Sequence, residues 1–244
     1  MINVEDVLRK QIALYRAYDI QADHGQRSGR GKEGDLSYGP YVLISHEMGA
    51  GGSEVGRLAG KRLGWQVFDK EIVDAIAKKA HVRRELIQSL DERDRTTIRD
   101  AIARVLKPGA IGRGTYLASL QEVLLALGHQ GDVIIIGHGG GYVLPSRFGL
   151  RVRLVAPVVE RVRRVAGRDK LSWEAAQEKI ESSDRARAQF VRHSFGKDWA
   201  EPLSHDLIIN TAELTAEAAA DVVLTALQRK LAAAAQGLPP KTGT

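Results

Sequence analysis

Five short apolar runs, each separated from the next by a stretch of helical periodicity, constrain this chain more than any other feature. They are Tyr41–Ser45, Gly64–Asp69, Asp132–Gly137, Leu150–Val155 and His205–Asn210. Runs of four to six residues rich in Val, Ile and Leu read as strands buried on both faces. Strands that alternate with helices join through right-handed crossovers and give a parallel sheet with helices on both faces, an α/β fold. Ligands of such sheets bind beyond the carboxyl ends of the strands. At 244 residues the chain is long enough for one such domain with appendages.

The first run leads directly into "ISHEMGAGGSEVG" and then into a helix expected from Ser53 to Leu63, with Val55, Leu58, Ala59 and Leu63 on one face. A strand, a glycine-rich turn and a helix form an anion site from backbone amides and the helix N-terminus. Against the phosphate-loop pattern G-x-x-x-x-G-K-[ST], His46 stands at the first glycine, Gly51 at the second, Gly52 at the lysine and Ser53 at the hydroxyl. Gly49, Gly51 and Gly52 allow the tight turn, and Ser53 is placed to offer its hydroxyl to magnesium. The bland alternative is an ordinary strand-to-helix turn with Ser53 as its N-cap.

Other positions carry two readings each. Asp69, at the end of the second run, either coordinates magnesium through water or orients a bound phosphate, or else it caps the next helix. The third run ends in glycine, so it supplies no acid there, and Asp132 stands at its wrong end. His46 and His138 both flank strand ends, but a metal site needs a third ligand at metal spacing. Arg161 and Arg164 follow the fourth strand at i and i+3, as ligand groups or as surface. Arg113, in the glycine-rich "PGAIGRGT", is a candidate for gripping a phosphate.

Composition removes several classes. With no cysteine, a disulfide scaffold, a thiolate metal site and a cysteine nucleophile are excluded. No apolar run reaches membrane-spanning length and the N-terminus is no signal peptide, so the expected location is the cytoplasm. The net charge of +6 suits nucleotides or nucleic acid, but the basic residues are scattered rather than gathered into a binding tail. Residues 1–38 read as an amphipathic helix over 4–18 and a glycine-rich linker. That helix is a candidate for contact with a protein partner or a second copy. The domain is expected over 39–232, and 233–244 as a disordered tail.

Four blocks in order carry a resemblance: "VLISHEMGAGGSEVGRLAGKRLGWQVFDKEIV", "DVIIIGHGGGYVL", "RVRLVAPVVERVRRV" and "SSDRARAQFVRHSFGKDWAEPLSHDLIINT". Together they resemble the cytidylate kinase-like family of P-loop nucleoside monophosphate kinases, over about residues 41 to 230. The resemblance implies a P-loop NTPase-like five-stranded parallel sheet, a helical acceptor-binding insertion and an arginine-rich lid over ATP. It also implies ATP and Mg2+ as cofactors and phosphoryl transfer to a nucleoside monophosphate such as CMP or dCMP. Gly49, Ala50, Gly51, Gly52 and Ser53, with His46, would then hold the ATP phosphates. Asp184, Arg185, Arg187 and Arg192 fall in the lid block, and Arg161 and Arg113 join them as lid or acceptor contacts.

Two family positions differ. Ser-Arg-Glu before the loop is Ser45-His46-Glu47, and Gly-Arg-Gly after the third strand is Gly137-His138-Gly139. The segment after Asp69, "KEIVDAIAKK", also departs from the acceptor segment of cytidylate kinases. Arg185 and Arg192, seven residues apart, share a helix face and are expected to replace the absent lysine's charge, with Asp69 at the reaction centre. His46 would assist only while protonated, below about pH 6.5. Two rival readings stand beside the kinase: a catalytically weak nucleotide-binding module, and a basic nucleic-acid-binding protein on the same fold.

Overall fold

The computed structural model describes residues 38–90 and 113–235, with isolated helical positions at 6, 9, 10, 95, 96 and 98. The N-terminal helix and linker expected over 1–38 lie outside the described residues, except for these isolated positions and Tyr38. In chain order the elements are β1 (Tyr41–His46), α1 (Gly52–Leu63), β2 (Gln66–Phe68), α2 (Lys70–Lys78), α3 (Ala80–Gln88), α4 (Arg113–Gln130), β3 (Val133–Ile136) and α5 (Gly140–Val143). They continue with β4 (Gly149–Val155), α6 (Val158–Asp169), α7 (Trp173–Phe195), β5 (Leu207–Asn210) and α8 (Ala216–Ala235). All four strand pairings are parallel, in the order β2-β3-β1-β4-β5. This is the α/β architecture expected from the alternating runs.

Alternation along the strands sends side chains into two cores. Val42, Ile44, Ile134, Ile136, Val152 and Leu154 pack under α1 and α8 against Val55, Ala59, Ala220 and Val223. Tyr41, Leu43, Phe68, Val133 and Ile135 face the opposite way, against Val73 and Ile76 of α2 and Leu120, Leu124 and Leu127 of α4. A third cluster, Val162, Val165, Ala176 and Ile180 with Met48, joins α6 to α7 and both to the turn after β1.

Local chemistry explains where the elements stop. Gly64 adopts φ 72° and its N–H closes α1 on the Gly60 carbonyl, so β2 begins later than the expected Gly64. Asp69 ends β2 because its carboxylate accepts from the Ile72 N–H at 3.2 Å as the N-cap of α2. Ser172 caps α7 by accepting from the Ala175 N–H at 3.2 Å. Arg113, expected in a loop, is the first residue of α4, and its side chain lies outside the described residues. α8 runs to Ala235, past the domain boundary drawn at 232, and the remaining tail residues lie outside the described residues. Among the described residues, no helix is long and apolar enough to cross a membrane.

Candidate active site

The carboxyl ends of β1, β2 and β3 open into a cleft of about 1090 Å3, bounded by α2 and α4 on one side and by α6 and α7 on the other. The turn after β1 forms its floor. Gly49 takes φ +85°, and a Cβ there would lie 2.8 Å from the Arg161 carbonyl, so the turn needs glycine for both conformation and room. Inside the turn, the Ala50 N–H donates to the Glu47 carbonyl at 3.0 Å, and Glu54 and Val55 donate to Gly51. The amides of Gly49, Gly51, Gly52 and Ser53 find no acceptor among the described residues, and neither does the Ser53 hydroxyl. These four residues line the cleft. The N-cap of α1 is Gly51, without a side-chain bond, so Ser53 does not serve as the cap considered for it. Ala50, expected among the phosphate ligands, is fully buried and spends its amide within the turn.

His46 does not behave as a spare cation. Its Nδ1–H donates to the Glu47 carbonyl at 3.0 Å, and its ring lies against Gly52. Burial, and then the neighbouring Arg187 guanidinium, push its pKa down to about 4. The imidazole is therefore neutral throughout the physiological range, which corrects the expectation of a charge fading past pH 6.5.

The α6–α7 wall is an ion-paired framework. Asp184 accepts from the Met48 N–H at 2.9 Å, from Arg161 Nη1 at 2.5 Å and from Arg187 Nη1 at 3.1 Å. Arg161 also donates to the carbonyls of Ala156 at 3.0 Å and Met48 at 3.3 Å, and pairs with Glu47 at 3.4 Å. Arg161 is buried and outside the cleft lining, so its guanidinium holds the turn in place and does not face a ligand. Asp184 likewise acts within the protein, tying α7 to the turn. Arg187 does line the cleft: Nη1 also donates to the His46 carbonyl at 3.2 Å, while Nε and Nη2 have no partner among the described residues.

Arg185 and Arg192 share a face of α7, as their spacing predicts, but that face is exposed and outside the cleft lining. Arg187, from the same block, is the arginine turned inward. The stripe Ile180, Asp184, Arg187, Val191, at spacings of four, three and four, carried that information, because Ile180 and Val191 are, with Ala176, the buried residues of the helix. Four further arginines line the cleft, and one of them, Arg151, is paired with Asp206 at 2.9 Å. Arg164 donates to Thr211 Oγ1 at 3.0 Å and reaches the Gly49 carbonyl at 3.4 Å. Arg168 pairs with Asp169, and Arg57, one turn along α1, is exposed with no partner among the described residues. Sequence reasoning passed over Arg57 and Arg168. The i+4 spacing of Arg57 from Ser53 was the available signal for the first.

On the opposite wall, Asp69 lines the cleft while capping α2, so both roles considered for it are geometrically open. Tyr116 of α4 donates to Asp74 of α2 at 2.5 Å, and burial raises the phenol pKa. His138, at φ 57°, places Nε2 3.6 Å from the Asp74 carboxylate and 3.2 Å from the Lys70 carbonyl. Burial lowers its pKa, so it too stands neutral where the family pattern has arginine. No cluster of three or more metal-ligating side chains occurs among the described residues.

The chain is 34% identical over 104 residues to the cytidylate kinase of Ignicoccus hospitalis, covering 43% of this chain and 60% of that one. It is 34% identical over 110 residues to the cytidylate kinase of Sulfolobus acidocaldarius, covering 45% and 60%. The matches thus span less than two thirds of those relatives. An uncharacterized protein from Eubacterium ventriosum shares the fold, with a TM-score of 0.54 at 14% identity, over 77% of this chain and 98% of that one. The model of the cytidylate kinase-like family matches residues 41–213, and the chain belongs to that family.

Proposed function

We propose that the chain is an ATP- and Mg2+-dependent phosphotransferase, with a nucleoside monophosphate of the CMP or dCMP type as the first acceptor to consider. One observation carries the reading: four unpaired amides, from Gly49, Gly51, Gly52 and Ser53, open on the cleft at the head of an amphipathic helix. Such a concave array of N–H groups at a helix N-terminus favours a polyphosphate. The free Ser53 hydroxyl fits magnesium, which would neutralise phosphate charge there. Arg187, Arg164, Arg168 and Arg57 supply positive charge around the same floor, and a guanidinium matches phosphoryl oxygens geometrically. Asp69, at the end of β2, is the group placed to orient an acceptor. Catalysis on this reading comes from positioning and charge neutralisation, without a covalent intermediate.

A second reading, a nucleotide-binding module of low turnover, has one observation in its favour: Gly52 at the lysine position and His46 beside it are both uncharged. Calorimetry with ATP and a coupled assay across the common nucleoside monophosphates separate the two. The kinase reading expects MgATP binding, turnover with an acceptor, and a Ser53→Ala loss larger for MgATP than for metal-free ATP. Binding without turnover selects the module. No binding at millimolar ATP removes both.

A further inference from the structure

The phosphate-loop pattern puts a residue without a side chain first and a lysine just before the hydroxyl, whereas this chain has His46 and Gly52 at those two places. The structure shows why the two departures occur together. A Cβ built on Gly52 would lie 2.3 Å from both Cγ and Cδ2 of His46 and 2.7 Å from its Cβ. These are the root of the side chain and its ring, not a flexible tip. The ring is also tethered, through Nδ1 to the Glu47 carbonyl at 3.0 Å. No side chain at position 52, lysine included, fits while His46 holds this place.

The same imidazole stands beside a replacement charge. Arg187 donates to the His46 carbonyl at 3.2 Å and to Asp184 at 3.1 Å, both through Nη1. Its Nε and Nη2 donors have no partner among the described residues, and the side chain lines the cleft. We propose that His46 and Gly52 are an exchanged pair: the imidazole fills the volume of the loop lysine, and Arg187 of α7 delivers the displaced cation to the phosphates. His46 is then a positioning residue and Arg187 a phosphate-binding one. This rests on the phosphotransferase reading for its ligand, but its steric half does not. The cation comes from the lid helix and not from the loop, so its arrival is tied to the docking of α7.

Two measurements on the full chain test the exchange. The first is a double-mutant cycle in melting temperature with Gly52→Ala and His46→Gly. Gly52→Ala is expected to lower the melting temperature with His46 present, and most of that drop is expected to vanish in the His46→Gly background. Equal drops in both backgrounds overturn the steric half. The second measures MgATP affinity by calorimetry. Arg187→Ala is expected to weaken it about tenfold, the loss of one charged hydrogen bond. Adding His46→Gly and Gly52→Lys to that variant is expected to recover most of the loss. A merely structural role for Arg187 predicts no such rescue, since the new lysine cannot restore the Asp184 contact. If the parent binds MgATP but Arg187→Ala has no effect, or lysine gives no rescue, the transferred charge is overturned while the kinase reading stands. If the parent binds no MgATP, the kinase reading and the transferred charge fall together, and the melting cycle alone decides the packing claim.

Discussion

On the α6–α7 side of the cleft the carboxylates of Glu47, Asp169 and Asp184 are all held by arginines, through contacts of 2.5–3.6 Å. On the α2–α4 side Lys70 and Glu71 reach the cleft with their side chains unpaired among the described residues, and Asp74 is held by the Tyr116 phenol, with His138 Nε2 3.6 Å away. One wall is set in shape by the protein itself before any ligand arrives, while the other keeps charged groups in reserve for a ligand. Preorganised donors around the transferring phosphate lower the reorganisation that the reaction requires. On the phosphotransferase reading, the acceptor would meet the wall whose contacts are not already spent.

The largest test of that contrast removes the keystone of the fixed wall. Asp184→Ala leaves the buried Arg161 without its nearest carboxylate and is expected to cost about 3 kcal/mol of stability. A chemical denaturation curve unchanged within error would break the comparison.

Next comes pH. The pKa of His46 is lowered to about 4 by burial, so between its unfolded value near 6.5 and that value the unfolded chain binds more protons than the folded one. Stability is therefore full above pH 6.5 and falls as pH drops toward 4. Arg187, Arg153, Asp184 and Glu47 surround the ring, and the two arginines disfavour its protonation. His138, on the open wall, is shifted the same way and adds to the slope. His46→Gln is expected to flatten the melting temperature profile by close to one proton's worth in this window.

On the open wall, Tyr116→Phe removes a single partly buried hydrogen bond and is expected to cost about 1 kcal/mol. MgATP affinity should stay unchanged and the acceptor KM should shift, a split that steady-state kinetics reads directly. The smallest effect belongs to Arg185→Ala and Arg192→Ala, whose exposed side chains contact nothing in the cleft. Each is expected to alter stability by less than about 0.5 kcal/mol, and MgATP affinity should stay within about twofold, under half the 1.4 kcal/mol of a tenfold change. A tenfold loss in either would show that α7 turns its other face to the nucleotide.

Much of the scaffold was legible in the sequence because it rests on periodicity. The five runs became five strands, and the turn after the first became the cleft floor. The face of α7 was misread for a definite reason. Spacing shows which arginines share a face, but only the flanking apolar residues, Ile180 and Val191, show which face is buried. The contact of His46 with Gly52 had no signal of that kind, since it arises from the path of a turn and not from any repeat. Arg161 was read as a ligand because an arginine near a phosphate turn invites that role, whereas its backbone and buried side chain pack against the turn itself.

α7 also has a mechanical consequence. Its 23 residues form one unbroken helix, which at 1.5 Å per residue is about 35 Å long. It is braced near its middle where Asp184 meets the turn, and at its end where Phe195 stacks on Tyr142 of α5 with ring centroids 5.3 Å apart. Position 139, at the exit of β3, has no room for a Cβ because that same Phe195 lies 2.3 Å from where one would stand. A strut fixed at two points does not flap; it tilts as a unit or stays still. The turn after β1 and the exit of β3 are therefore tied to one rigid element, and a displacement of either would be carried to the other.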